Sequence, residues 1–598
     1  MRDGVATEDR RARQADPLLV GGLVLVALQT VVRAVLVLGS SLWQDDLFHL
    51  SMFQRWGLSR EFLVREHNGH LEIGPNLVYA VLGSDPGLSF VPAALLLLAL
   101  QLTASCLLLV VLRLLFGRSP WVLVPFTVYL FTPLALPSAT WLAAGLEALP
   151  LQIALFTVLI GGVRAYRERS WRWAALSAVG TATGLLFWEK AVLVLPALVA
   201  VLVLVEEAGT PWWESLRRVA RSWPYLLPHA LLVAGYVPFY LSVVGRSELA
   251  PEPGAVLSTT AETVFSMLLP GLVGGPWTAE GADDTVAADA GTVRAVLVAV
   301  LVAVVVAVSI WLRRGRAVKA WLLVAGYLAV DIALVQLTRA SDLAIAARDP
   351  RYITDAIPVV VLGCCAAFSG PRRASTAPAW TGRLAGRALP AVAVSALLVV
   401  SSLGSSALIV DELQHTRAAT FVSDVLETMD ARPEVSVVST LPPVHVTIFE
   451  SFDLDATLRT VGEPRPFDRP ATEMGMFDQD AVLRPITLLE PILEASGPVP
   501  GCGWPLPAGG QVLGDVPIWF GLQVLRFGYD SPAEVTVHLA VGDDRQDVTV
   551  PAGTGRVMFV VTGQQGPVAV RASGAPAGTV CVDDVVVGTP WPEGLSGN

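Results

Sequence analysis

Long, nearly uninterrupted runs of Leu, Val and Ala recur through the first 410 residues of this 598-residue chain. A hydrocarbon core about 30 Å thick is crossed by a helix of roughly 20 apolar residues, which pairs every backbone N–H and C=O within itself. Runs near that length lie at 17–38, 88–112, 120–137, 147–163, 173–188, 191–206, 223–244, 294–312, 318–338, 352–369 and 388–410. They predict about eleven membrane-spanning helices, the short third to fifth being open to redrawing as longer tilted ones. Charged residues make up 16% of the chain, against about 25% in an ordinary soluble domain. A soluble enzyme and a disordered chain are both disfavoured. With 52 acidic against 41 basic residues and a net charge of -11, there is no broad basic footprint for a nucleic acid.

Short cytoplasmic loops retain arginine, which fixes the expected direction of the spans. Arg2, Arg10, Arg11 and Arg13 precede the first run. Alternate connections then carry Arg113 and Arg118; Arg164, Arg167, Arg169 and Arg172; Arg217, Arg218 and Arg221. Arg313, Arg314, Arg316 and Lys319, then Arg372, Arg373, Arg383 and Arg387, continue the same phase. The pattern predicts residues 1–16 as a cytoplasmic tail, 17–410 as the membrane domain, and everything after it outside. No small-residue cleavage site follows the first run, so it reads as a retained span. Arg33, near its outer end, is expected to snorkel or to pair with the acidic motif that follows.

Beyond residue 410 the patterning changes. A mixed α/β connecting region is expected over 411–495, with a helix at Thr420–Met429 and a strand at Val435–Val438. Over 496–598, runs such as Val535–Leu539, Val548–Val550 and Val557–Val561 alternate with turns such as Gly542-Asp543-Asp544. Short strands at that spacing predict a jelly-roll-like β-sandwich. Cys502 and Cys581 bracket it and could close a disulfide on the oxidising side or remain two buried thiols.

Ionisable side chains at the outer mouths of spans are costly to place and therefore candidates for function. Trp43-Gln44-Asp45-Asp46-Leu47-Phe48-His49 puts two carboxylates directly after the first run. Such a pair makes a general base or a divalent-cation site (Mg, Mn or Ca), or merely a helix cap. His67-Asn68-Gly69-His70-Leu71-Glu72 follows in a Gly-containing turn, suited to sugar hydroxyls or phosphate oxygens, or to satisfying itself. Glu147 stands alone at the top of the fourth run. Glu189-Lys190 interrupts another, either as a local ion pair or with Lys190 facing an anion and Glu189 positioning it. Arg348 and Arg351 sit on an outer loop with Tyr352 and Asp355, against the arginine pattern; a bound phosphate would hold them, as would Asp342, Asp349 or Asp355. No Walker loop, dinucleotide fingerprint, Gly-x-Ser-x-Gly or Cys-x-x-Cys occurs, which leaves ATP-driven pumping and a nicotinamide cofactor unsupported.

Gln44-Asp45-Asp46, His67–His70, Phe187-Trp188-Glu189-Lys190, and Arg351-Tyr352 with Asp355 together resemble the GT-C superfamily of integral membrane glycosyltransferases. The likeness is nearest to actinobacterial arabinosyl- and mannosyltransferases of cell-wall assembly, and as architecture it spans about two-thirds of the chain. The C-terminal sandwich resembles carbohydrate-binding modules appended to some of these enzymes. The resemblance implies a polyprenyl-phosphate sugar donor, an envelope glycan, lipid or protein acceptor, and inversion at the anomeric carbon. It implies Asp46 as base, with Asp45 supporting it or binding a cation. His49, His67, Asn68, His70, Glu72, Glu147 and Glu189 would orient sugar or phosphate, and Lys190, Arg348, Arg351, Tyr352 and Asp355 would frame the phosphate. A lipid-linked-sugar flippase, or an inert glycan-binding assembly protein, would use many of the same features. A transporter, however, would spread its charges along several spans.

Overall fold

The computed structural model describes residues 16–84, 87, 89–245, 253–282, 285–339, 343–369, 388–449, 452–517, 521–561, 563 and 565–595. Arg2 to Arg13, Asp342 and the arginines at 372–387 lie outside them. The chain divides into two compact units, residues 1–85 with 89–416, and residues 86–88 with 417–598.

The first unit is helical. Asp16 caps α1 (Pro17–Val37) by accepting the Leu19 N–H, and Pro17 supplies the fixed φ of a first turn. Next come α2 (Asp45–Trp56), the two-residue strands β1 (Glu66–His67) and β2 (His70–Leu71), and α3 (Ile73–Leu82). Asn68 and Gly69 have φ of 50° and 84°, the two positive values that a tight hairpin requires between β1 and β2. Helices α4 (Val91–Phe116), α5 (Leu123–Phe131), α6 (Leu142–Glu168), α7 (Trp171–Phe187) and α8 (Trp223–Val243) follow. Then come α9 (Gly254–Leu272), the hairpin β3 (Ala279–Ala282) and β4 (Thr285–Ala288), α10 (Thr292–Arg313), α11 (Gly315–Thr338), α12 (Ile357–Ser369) and α13 (Ala388–Ala407). A Cβ on Gly161 would stand 2.7 Å from the Trp173 carbonyl, so the missing side chain is what lets α6 and α7 lie backbone to backbone.

Among the described residues nine helices are long and apolar enough to cross a membrane. They become ten if Pro120–Phe131 and Pro133–Thr140, bent by 46°, form one span. Two departures separate this from the expected eleven. The runs at 173–188 and 191–206 become α7, an extended residue at Trp188, and short helical turns from Glu189 to Glu206. Helix α9, by contrast, falls in a stretch expected to be a loop. Gln336 at the end of α11 donates to Val256 O and Thr259 Oγ1, Thr263 donates to Ala347 O, and Thr132 just after α5 donates to Gly271 O. One end of α9 is therefore tied to the end of α11 and the other to the chain just after α5. Arg33 is also placed differently, buried in the bundle at 4% exposure rather than snorkelling.

The second unit begins with α14 (Thr416–Ala431), followed by β5 (Ser436–Val437), β6 (Met474–Phe477) and β7 (Leu483–Ala495). The remaining strands are β8 (Trp504–Pro505), β9 (Gln511–Val516), β10 (Val524–Ser531), β11 (Val535–Val541), β12 (Asp544–Val550), β13 (Gly553–Val560), β14 (Gly566–Ser573) and β15 (Cys581–Pro592). They form one sheet of order β13-β10-β15-β7-β6-β5 and another of order β12-β11-β14-β9. Strands β7 and β9 to β15 thus take the order of an eight-stranded jelly roll, with β6 and β5 extending one sheet. Phe527 and Phe559 from one sheet and Val537 and Leu539 from the other share a buried core. Strand β7 already belongs to this fold, so the sandwich starts before the boundary expected at 496. Cys502 and Cys581 form a disulfide.

Candidate functional site

The two adjacent aspartates at the start of α2 occupy different environments. Asp46 is fully buried. Tyr79 Oη (2.8 Å), the Ala143 N–H (2.9 Å) and the Trp43 N–H (3.1 Å) all donate to its carboxylate. Burial pushes the Asp46 carboxyl up to about 7, against those three donors. Asp45 keeps 17% of its side chain exposed and meets His67 Nε2 at 2.9 Å. Burial raises its carboxyl too, but the hydrogen bond and charge of His67, joined by His49 and Arg351, outweigh it and hold Asp45 below the usual carboxylate range. Of the pair, Asp45 is the ionised and reachable carboxylate.

Behind it lies a buried scaffold. Asn76 Nδ2 donates to the Phe62 carbonyl, which turns Asn76 Oδ1 toward His49 Nδ1 (3.1 Å), while His49 Nε2 faces Glu72 at 3.1 Å. Both ring nitrogens face acceptors, so His49 is an imidazolium inside the protein. Its ring stacks on Tyr79, and the ring of His67 stacks on Phe48. His49, Glu72 and Asp46 therefore hold α2 against α3.

The hairpin turn brings up the opposite wall. His70 Nδ1 donates to Glu189 (2.8 Å) with Glu147 at 3.9 Å, and Arg339 Nη2 stands 2.5 Å from its Nε2. Asn68 Nδ2 lies 3.3 Å from His67 Nε2, and Tyr240 Oη donates to Gly69 O. Arg351 is ion-paired through Nε to Asp349 at 2.6 Å, and its guanidinium lies 4.8 Å from the Trp141 ring and 4.8 Å from the Tyr352 ring. Arg339 lies 5.7 Å from the same Tyr352 ring, so two guanidiniums flank one tyrosine.

Three expected ligands are turned elsewhere. Lys190, 7% exposed, is clamped between Asp331 (2.8 Å) and Asp355 (2.9 Å) and donates to the Tyr352 carbonyl (3.0 Å). Its anionic partners are these two aspartates and not Glu189, and Lys190 with Asp355 fixes the loop that carries Arg351. Arg348 lies 3.5 Å from Glu262 on α9. The cation reading of Asp45 and Asp46 does not fit either. Protein donors already fill the Asp46 carboxylate, and among the described residues no group of three His, Cys, Asp or Glu could hold a metal.

Residues that sequence reasoning missed lie far from their partners along the chain. Asp331 is an acid inside a span, which membrane cost alone singles out. Arg339 ends α11 and carries no such signal. His415 stacks on Trp43 at 4.0 Å, and burial pushes it down to about 3, leaving the ring neutral.

No protein-family model matches the chain, and no curated protein matches it. The structure is similar to that of ArnT from Cupriavidus metallidurans, solved bound to undecaprenyl phosphate. Identity is 15% and the TM-score 0.40, over 76% of this chain and 92% of that one. It is also similar to arabinosyltransferase EmbB from Mycobacterium smegmatis, with 12% identity and a TM-score of 0.29, over 95% of this chain and 64% of that one. Both likenesses are distant, and the functional reading rests on the side chains described above.

Proposed function

We propose that the protein is a membrane glycosyltransferase that moves a sugar from a polyprenyl-phosphate donor to a hydroxyl of an envelope glycan, lipid or protein. The observation that carries this is the asymmetry of the aspartates: Asp45 is ionised, partly open, braced by His67 and within electrostatic reach of Arg351, while Asp46 is sealed. Asp45 is the base. Its carboxylate takes the proton from the acceptor hydroxyl as that oxygen bonds to the anomeric carbon. The bond from that carbon to the phosphate oxygen breaks on the opposite face, which inverts the centre. The departing phosphate dianion needs cations rather than an acid. Arg351 and Arg339, flanking Tyr352, are placed to receive it, and His70, Glu147 and Glu189 are placed to orient the sugar. The site faces outward, and the C-terminal jelly roll holds the acceptor glycan.

The test is transfer from a panel of radiolabelled polyprenyl-phosphate sugars by membranes carrying wild type, Asp45→Asn or Asp46→Asn. Asp45→Asn should fold normally and lose about 10²- to 10⁴-fold in turnover, the range typical of a lost general base. Asp46→Asn should instead lower the yield of folded protein. If no donor in the panel is used, or if Asp45→Asn is as active as wild type, the reading fails.

A further inference from the structure

At the end of the bundle away from Asp45, α1, α4 and α6 leave a groove of about 830 Å³. Its walls include Leu19, Leu23 and Val110, and its rim carries Arg113, Arg118 and Arg164. Helix α4 ends where Gly117 takes a φ of +79°, and this turn puts Arg118 beside Arg113. Both guanidiniums meet one carboxylate through Nε, with Asp16 Oδ2 at 3.0 Å from Arg113 and 3.3 Å from Arg118. The other Asp16 oxygen accepts the Leu19 N–H, so the group that caps α1 also gathers the two arginines. Arg164 completes the rim, its guanidinium 4.3 Å from the Trp173 ring, and among the described residues it has no ion pair.

Three guanidiniums against one carboxylate leave two positive charges on the rim. Two nearby arginines are neutralised: Arg167 makes a two-point pair with Glu206 (2.7 and 2.6 Å), and Arg218 meets Glu207 and Glu214. The three rim arginines share only Asp16. With Nε engaged, the Nη edges of Arg113 and Arg118 remain for a second anion, in the paired-fork geometry that suits phosphate. The walls below are apolar and continuous with the membrane-facing helices. A basic rim over an apolar groove between spans is complementary to an anionic lipid.

We propose that this groove holds one anionic glycerophospholipid, with its phosphate on Arg113 and Arg118, Arg164 alongside, and an acyl chain against Leu19, Leu23 and Val110. A zwitterionic lipid returns a positive charge to a rim already in excess, and free phosphate lacks the chain. The experiment is native mass spectrometry of the full-length, delipidated protein titrated with phosphatidylglycerol, with phosphatidylcholine of the same chains, or with inorganic phosphate. Wild type should retain one phosphatidylglycerol at least 10-fold more strongly than phosphatidylcholine, and no phosphate. The variant R113Q/R118Q/R164Q should lose that preference. R172Q/R217Q/R221Q, which removes as many exposed arginines, should keep it. If the triple variant does not fold, R164Q alone, which leaves the Asp16 cluster intact, should weaken retention about threefold or more. Equal retention of both lipids, equal loss in both triple variants, or retention of phosphate alone would overturn the proposal.

Discussion

His49 shows how a single buried charge ties the site's scaffold to pH. Burial opposes its protonation, but the Glu72 carboxylate more than compensates and raises the ring's pKa above its ordinary value. A histidine raised in the folded state contributes stability that is fully present below its unfolded pKa of about 6.5, and loses it as pH rises through the folded value. Thermal unfolding in detergent should thus show wild type more stable than His49→Gln by about 1 to 3 kcal/mol at pH 6, the worth of a hydrogen bond to a charged group. The gap should narrow by pH 9. A gap that stays constant from pH 6 to pH 9 would mean that the ring is neutral throughout. None of this was legible from the chain alone. The string from Gln44 to His49 named the right neighbourhood, but which acid is open depends on Tyr79 and Ala143, whose approach is a tertiary event. Lys190 was misread for the same reason: its partners lie on α11 and on the loop before α12.

At the scale of elements, periodicity served the helices and strands well where the solvent acts along a whole segment. It failed where one residue breaks the segment. Trp188 interrupts what reads as two spans because its extended backbone lets Glu189 turn to His70 while Lys190 turns to Asp331. The jelly roll was legible because each strand alternates between core and solvent, as in the burial of β11. Its staple makes a separate prediction. The bond joins residues 79 apart, next to β8 and at the first residue of β15. In the chain-entropy account, closing a loop of that size stabilises the fold by about 4.5 kcal/mol. Cys502→Ser should lower the melting temperature of the C-terminal unit, and reducing wild type should lower it equally. A melting temperature indifferent to both changes would show that the sandwich core is sufficient.

For the whole molecule the open question is direction, and α9 decides how it must be tested. If α9 crossed the membrane, Thr292 at the start of α10 would lie on the opposite side from Ser242 at the end of α8. The arginines at 313–316 would then face outward, against the pattern of every earlier loop. If α9 instead enters and leaves on one side, Ser242 and Thr292 share that side and the arginine phase is kept. The native thiols do not interfere once Cys106, Cys364 and Cys365 are made alanine, since the other two cysteines are joined. On that background, Ser242→Cys and Thr292→Cys should both react in intact cells with a maleimide that cannot cross the membrane. Ser170→Cys, between α6 and α7, should react only after lysis. Protection of Thr292→Cys alone would make α9 a span and reverse everything after it. The same labelling fixes the side on which Asp45 works, because Ser242 lies two residues beyond Tyr240, which holds the Asn68-Gly69 turn.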